Sequence, residues 1–237
     1  MLKQELIEKN PIRHLQATDG GQNAGQVGLV IARAGLGKTA ILVQIALYSL
    51  LQDRQVVHVS IGESLDKARL WYDDMFRDIV AERKLDNAGE LHDAIMRNRM
   101  IITFNATSFN RAKLEERLND LIQQNVIKPS CMVVDGIDFA KAGREMLEGM
   151  REMARNMNLT VWFSARSHRE DERRSAAGVP APCHEVDDLF DTVVLLQPAP
   201  QKNCIDLNII KGAAGVAASG TVLKLDPMTF MIKEGCE

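Results

Sequence analysis

The chain has 237 residues, 46% of them apolar and 26% charged, with a net charge of −3. That is enough apolar material for one well-cored domain, and the length alone permits two. No apolar run reaches the roughly 18 residues a membrane helix needs, and there is no basic excess of the kind a dedicated nucleic-acid binder carries. The opening Met-Leu-Lys-Gln-Glu-Leu-Ile-Glu-Lys alternates charged with apolar residues, unlike a signal peptide. Four cysteines (Cys131, Cys183, Cys204, Cys236) and five histidines (His14, His58, His92, His168, His184) are scattered without metal-ligand or paired spacing. That composition reads as a reduced, cytoplasmic protein without a zinc site.

In chain order, residues 1–9 read as a short amphipathic helix with Leu2, Leu6 and Ile7 on one side, ended by Asn10-Pro11. A glycine-rich turn from Asp19 to Gly25 leads into a buried strand, Gln26–Ala32, and Thr39–Leu51 is apolar enough to be a helix packed on a sheet. Strands are then expected at Val56–Ile61, Met100–Phe104, Cys131–Val134 and Leu159–Ser164. Helices are expected between them at Leu65–Arg83, Asn87–Arg97, Asn110–Gln124 and Lys141–Met157. Apolar strands alternating with helices predict an α/β domain with a mainly parallel central sheet flanked by helices. From Arg166 to His184 the chain turns polar and proline-bearing, reading as a solvated, mobile loop. Only β runs follow: Thr192–Leu196, Cys204–Ile210, Thr221–Leu225 and Phe230–Ile232. They are expected to extend one edge of the sheet as antiparallel strands, within a single domain over 1–237. Met146, Met150, Met153 and Met157 recur at helical spacing and read as core, as do Trp71 and Trp162.

The densest chemical signal is Ala32-Arg33-Ala34-Gly35-Leu36-Gly37-Lys38-Thr39. It matches the phosphate-loop pattern with alanine for the first glycine, a strand before it and an apolar helix after it. Gly35 and Gly37 let the backbone turn so that amides face phosphate. Lys38 supplies charge at the β/γ phosphates, the Thr39 hydroxyl can ligate Mg²⁺, and the next helix aims its N-terminus at the anion. The loop from Ala34 to Ala40 is therefore the expected site for a nucleoside triphosphate, ATP with Mg²⁺.

Two carboxylates join it. Met132-Val133-Val134-Asp135 ends an apolar strand, which places Asp135 at the ligand-binding edge of a parallel sheet, where it can hold the metal with Thr39. Asp138 is a weaker second candidate. Val59-Ser60-Ile61-Gly62-Glu63-Ser64 brings Glu63 to the same edge, where it can activate water. The competing reading of Glu63 is a place in the cap of the next helix.

The order of these parts resembles the RecA-type P-loop ATPase superfamily, in particular the DnaB-type helicase core and the KaiC-like ATPases. The resemblance runs from about Asn10 to Lys233. It rests on the glycine-rich lead-in, the phosphate loop, Val59–Ser64 with the family's usual catalytic glutamate, Met132–Asp135, the helix-to-strand crossing Met153–Val161, and Ile209-Ile210-Lys211-Gly212. It implies a RecA-like fold and a homo-oligomeric ring or filament, with ATP between subunits and a basic residue reaching in from the neighbour. Here Lys211 is kept, but Ala213 stands where the family often has arginine, and Ala165 replaces a polar residue. The resemblance therefore implies slow hydrolysis, with Lys211 acting as a point charge and not a planar fork.

Relatives carry a DNA-contacting loop where this chain has Arg166–His184. Its four arginines are offset by Glu170, Asp171 and Glu172, and no aromatic residue is present to stack on bases. Nucleic acid is therefore not the favoured partner. The leading expectation is a Mg²⁺-dependent ATPase serving a regulatory or conformational task through an unidentified protein partner. The alternatives are a nucleic-acid motor and a nucleotide-dependent interaction switch that barely hydrolyses.

Overall fold

In a computed structural model, residues 2–8, 10–15, 24–83, 88–200, 203–213 and 216–233 are described. Among them an eight-stranded sheet runs in the order β3-β2-β4-β5-β1-β6-β7-β8. The strands are β1 (Val27–Ala32), β2 (Gln55–Ile61), β3 (Arg99–Phe104), β4 (Pro129–Asp135), β5 (Thr160–Arg166), β6 (Thr192–Pro198), β7 (Ile205–Lys211) and β8 (Val222–Leu225). β1 to β6 are mutually parallel, and only β7 and β8 are antiparallel. The predicted α/β class, the parallel sheet and the antiparallel edge are thus all present, although β6 belongs to the parallel set.

Seven residues form the first helix, α1 (Leu2–Glu8), followed by a 3₁₀ turn, Pro11–Leu15. One face of the sheet is covered by α2 (Lys38–Leu51), α3 (Leu65–Arg83) and α4 (Ala88–Met96). The other is covered by α5 (Arg111–Gln123) and α6 (Arg144–Asn156). Parallel strands covered on both faces are apolar throughout, and every residue of β1 is buried. α2 is buried on all sides, from Ala40 to Leu51, because it lies on the sheet beneath α3 and the N-terminal segment.

Alternation within strands sorts the two layers. Trp162 of β5 faces α2 and lies flat on Gly28 of β1, its register partner. A Cβ on Gly28 would come within 2.4 Å of the indole. Met150 and Met153 of α6 are fully buried against the opposite face, and Met146 and Met157 pack beside them, as their spacing predicts.

Several expectations are corrected. Phe230–Ile232 is not a strand: Phe230 sits in left-handed backbone (φ 56°), which breaks the extended run and leaves an isolated bridge from Leu225 to Ile232. α3 keeps its predicted limits, but its buried stripe is Ala68, Tyr72, Met75, Phe76 and Ile79, while Leu65, Leu70 and Trp71 are exposed. The segment 166–184 is not a free loop. Arg166 ends β5, Arg174 bridges to Pro180, Val179 and Cys183 are buried in the α6-side core, and Ala181 is buried between them in sequence. Cys204 is disulfide-bonded, so scattered spacing did not mean four free thiols; Cys131 and Cys183 are free and buried. The lead-in glycines Gly20 and Gly21, and Ala214-Gly215 after β7, lie outside the described residues. No described helix is long and apolar enough to cross a membrane.

Candidate functional site

The site forms where β1, β2, β4 and β5 end on the α2 face. β1 stops at Ala32 and the chain crosses to α2 through Arg33–Gly37, with Gly35 (φ 78°) and Gly37 (φ 86°) in the left-handed region. That conformation reverses the chain tightly and is open to glycine at little cost. The first helical hydrogen bond, Ile41 N–H to Gly37 O at 3.0 Å, leaves the preceding amides at the helix N-terminus without intrahelical acceptors. Arg33, Ala34 and Gly35 are exposed, Leu36 to Thr39 half-buried, and Ala40 is buried under the sheet.

Thr39 is on the first turn of α2, and its Oγ1 donates to Asp135 Oδ2 at 2.6 Å. The other Asp135 oxygen accepts from Ser164 Oγ of β5. Gly136 explains how Asp135 reaches this position. Its backbone is left-handed (φ 96°), and a Cβ there would lie 2.2 Å from Ile61 O, so β4 turns directly under the end of β2. Ser60 is the register partner of Asp135, which completes a layer of small oxygen-bearing side chains.

Lys38 follows in the same cleft. Its amine reaches back to Arg33 O at 3.4 Å. Burial lowers its pKa, Asp135 opposes that shift, and the charge of Arg166 adds to it. A bound polyanion would favour the charged amine.

Glu63 is placed by Gly62, whose left-handed backbone (φ 83°) turns the chain out of β2 while its N–H holds Phe104 O at 2.9 Å. Glu63 is exposed and pairs with Lys67 at 2.7 Å. Ser64 caps α3, accepting from Lys67 N–H at 3.2 Å. Ser64 starts the helix, and Glu63 stands on the rim of a cavity of about 360 Å³ shared with Lys38, Thr39 and Asp135. Asp138 lines an adjoining cavity with Lys38, Asp135 and Arg166, outside the one that holds Glu63. Its carboxylate accepts from Ala140 N–H and pairs with Lys141 at 3.0 Å, bonds that pull its pKa down and make it the organiser of its own turn.

Lys211 lies elsewhere. It pairs with Val193, which is level with Leu29 near the start of β1, and its amine donates to Asp187 O at 3.1 Å. That lies toward the opposite end of the parallel strands, roughly 13 Å along them below the first loop residue. Within one chain, Glu63, Lys38, Thr39 and Asp135 come together, and Lys211 does not.

Ser164 and Arg166, the polar residues beside Ala165 in sequence, share the α2 face with Trp162 by strand alternation, which turns Ala165 toward α6; Arg166 lines the cavity and Ser164 binds Asp135. Sequence reading missed two further neighbours of this cleft. Trp71 lines the cavity from α3. His58 lines its floor, bonded through Nδ1 to Tyr72 Oη at 2.9 Å. Across the Arg33–Gly37 loop, a larger cavity of about 630 Å³ is bounded by Arg33, Leu36, Arg169, Arg174 and Gln197.

No family model matches the chain, and no curated protein matches it by sequence.

Among the arginines of 166–184, Arg173 is closed bidentately on Asp171, at 2.8 and 2.7 Å, and Arg174 donates to Gly178 O at 3.0 Å. Both are committed to the segment's own structure.

Proposed function

We propose that the chain binds ATP with Mg²⁺ on the Ala34–Ala40 loop and hydrolyses it slowly, as a RecA-like P-loop ATPase of a regulatory or conformational type. The observation that carries this reading is the 2.6 Å bond from Thr39 Oγ1 to Asp135 Oδ2, beside Lys38 and at the N-terminus of α2. A hydroxyl and a carboxylate are hard oxygen donors of the kind Mg²⁺ takes alongside phosphate and water. Asp135 and Thr39 would hold the ion, and bound there it would neutralise charge on the β/γ oxygens.

The residues of this chain divide the remaining work. The loop amides and Lys38 grip phosphate, and Ser164 fixes the free oxygen of Asp135 so that the carboxylate presents a defined edge. Glu63, released from Lys67, orients and deprotonates water on the open side of the cavity. The glutamate's exposure fits a site completed by another subunit, and Lys211 would serve such a neighbour by leaving Asp187 O. The nucleic-acid motor is less well supported, since Arg173 and Arg174 are internally engaged.

The test is calorimetric titration of wild type, Lys38→Ala and Glu63→Gln with MgATP and MgGTP, alongside turnover. Lys38→Ala should lose tight binding while remaining folded. Glu63→Gln should bind normally and hydrolyse at least about tenfold more slowly. Equal affinity of Lys38→Ala and wild type would remove the assignment. Tight binding without turnover in wild type would select the interaction switch.

A further inference from the structure

The C-terminal turn is fastened to the same helix that begins at the phosphate loop. Asp226 closes it, accepting on Oδ1 from Met228 N–H at 2.8 Å and Thr229 N–H at 3.1 Å, and its backbone oxygen accepts from Phe230 N–H at 2.8 Å. Thr229 O then accepts from Gln44 Nε2 at 2.6 Å, and Asn10 Nδ2 donates to Gln44 Oε1 at 3.0 Å. Asn10, Gln44 and Thr229 are all buried, so this relay ties the N-terminal segment, α2 and the C-terminal turn together away from water. Buried hydrogen bonds of this kind fix geometry because leaving either partner unpaired is costly.

What the turn presents is Phe230. Its backbone is left-handed, unusual for a residue with a side chain, and that conformation swings the ring over Gly37. A Cβ on Gly37 would lie 2.1 Å from Phe230 Cε1 and 2.2 Å from Cζ, so the ring edge sits where a side chain would be. Gly37 is thus glycine for two reasons, its left-handed φ and the aromatic ring against it. By contrast, a Cβ on Gly35 would meet nothing within 4 Å. The loop is open on one side and backed on the other.

We propose that Phe230 is a positioning residue for the phosphate loop: the bolted turn Asp226–Phe230 backs Gly37 and holds the loop amides in their anion-binding conformation before any ligand arrives. This rests on the ATP-binding reading for its functional consequence, but not for its structural claim. Preorganised donors bind more tightly because their ordering is already complete.

Two measurements test it on the full chain. First, hydrogen exchange is followed in the nucleotide-free protein. Phe230→Ala should raise exchange of the hydrogen-bonded amides of Leu36 and Ile41, whose acceptors are Arg33 O and Gly37 O, by about tenfold or more while those of β1 and α6 stay protected, and Phe230→Leu should fall between. Unchanged exchange at Leu36 and Ile41, or a uniform rise across the chain, overturns the proposal, whatever the protein binds. Second, MgATP, MgGTP and inorganic tripolyphosphate are titrated into wild type and Phe230→Ala. Affinity should fall by the same factor, about tenfold, for all three. A loss confined to one nucleobase would make Phe230 a base contact and overturn the positioning role, as would no loss at all. Failure of wild type to bind any of the three would defeat the ATP-binding reading and leave the exchange result to decide this one.

Discussion

His58 shows how a single side chain records its surroundings. Burial in the floor of the site lowers its pKa to about 4, an effect the Asp135 charge opposes and Arg99 reinforces. In the unfolded chain the imidazole titrates near 6.5. Above pH 6.5 both states are neutral and His58 costs nothing. Between 6.5 and 4 the unfolded state takes up a proton that the folded state refuses, so stability falls as pH falls, by about 3 kcal/mol across the whole window. Urea unfolding at pH 7 and pH 4.5 should therefore show His58→Gln losing less stability on acidification than wild type, by about 2 kcal/mol. Identical losses would assign the acid sensitivity to carboxylates instead. The same residue illustrates the limit of reading side chains from sequence. Lys38, Thr39 and Asp135 are recognisable because their spacing repeats a chemical pattern, whereas His58, Trp71 and Phe230 enter the cleft only through tertiary packing.

At the level of elements, periodicity located nearly everything and orientation was the weak point. The limits of α3 were legible because Ser64 caps it and apolar residues recur along it, yet Leu70 and Trp71 face outward. An amphipathic helix with apolar residues on two sides does not say in sequence which side docks. Phe230–Ile232 has good strand propensity, and a left-handed residue set by the bolted turn overrode it. The segment 166–184 was polar enough to read as solvated, but the buried Val179, Ala181 and Cys183 anchor it, a sparse pattern that no period reveals. The β1–β5 pairing offers a direct test of how tightly the central strands fit. Gly28→Ala places a methyl about where the Trp162 ring lies, and overpacking of this kind costs roughly 1–3 kcal/mol. Thermal unfolding should show that loss, and adding Trp162→Phe should return part of it. A Gly28→Ala variant as stable as wild type would mean that the indole has room to slide.

Seen whole, the chain keeps its candidate cleft and Lys211 apart. The cleft with Lys38, Thr39, Asp135 and Glu63 opens at one end of the parallel strands, and Lys211 stands toward the other. If Lys211 completes a neighbour's site, specific activity should rise with protein concentration across a roughly hundredfold dilution series and fall in Lys211→Ala. Light scattering on the same samples should show the mass rising in step. Constant activity from a proven monomer would mean the site is complete within one chain. A two-fold dimer sets residue i against j and j against i, so it joins cleft to Lys211 only through one patch that holds both. A contact that joins one subunit's cleft edge to the next one's Lys211 edge alone is head-to-tail and gives a polar array. In such an array each junction borrows one half from each of two chains. Subunits damaged only at the cleft and subunits damaged only at Lys211, each inactive alone, would regenerate one intact junction wherever they meet in the productive order, and mixing two dead proteins would restore activity.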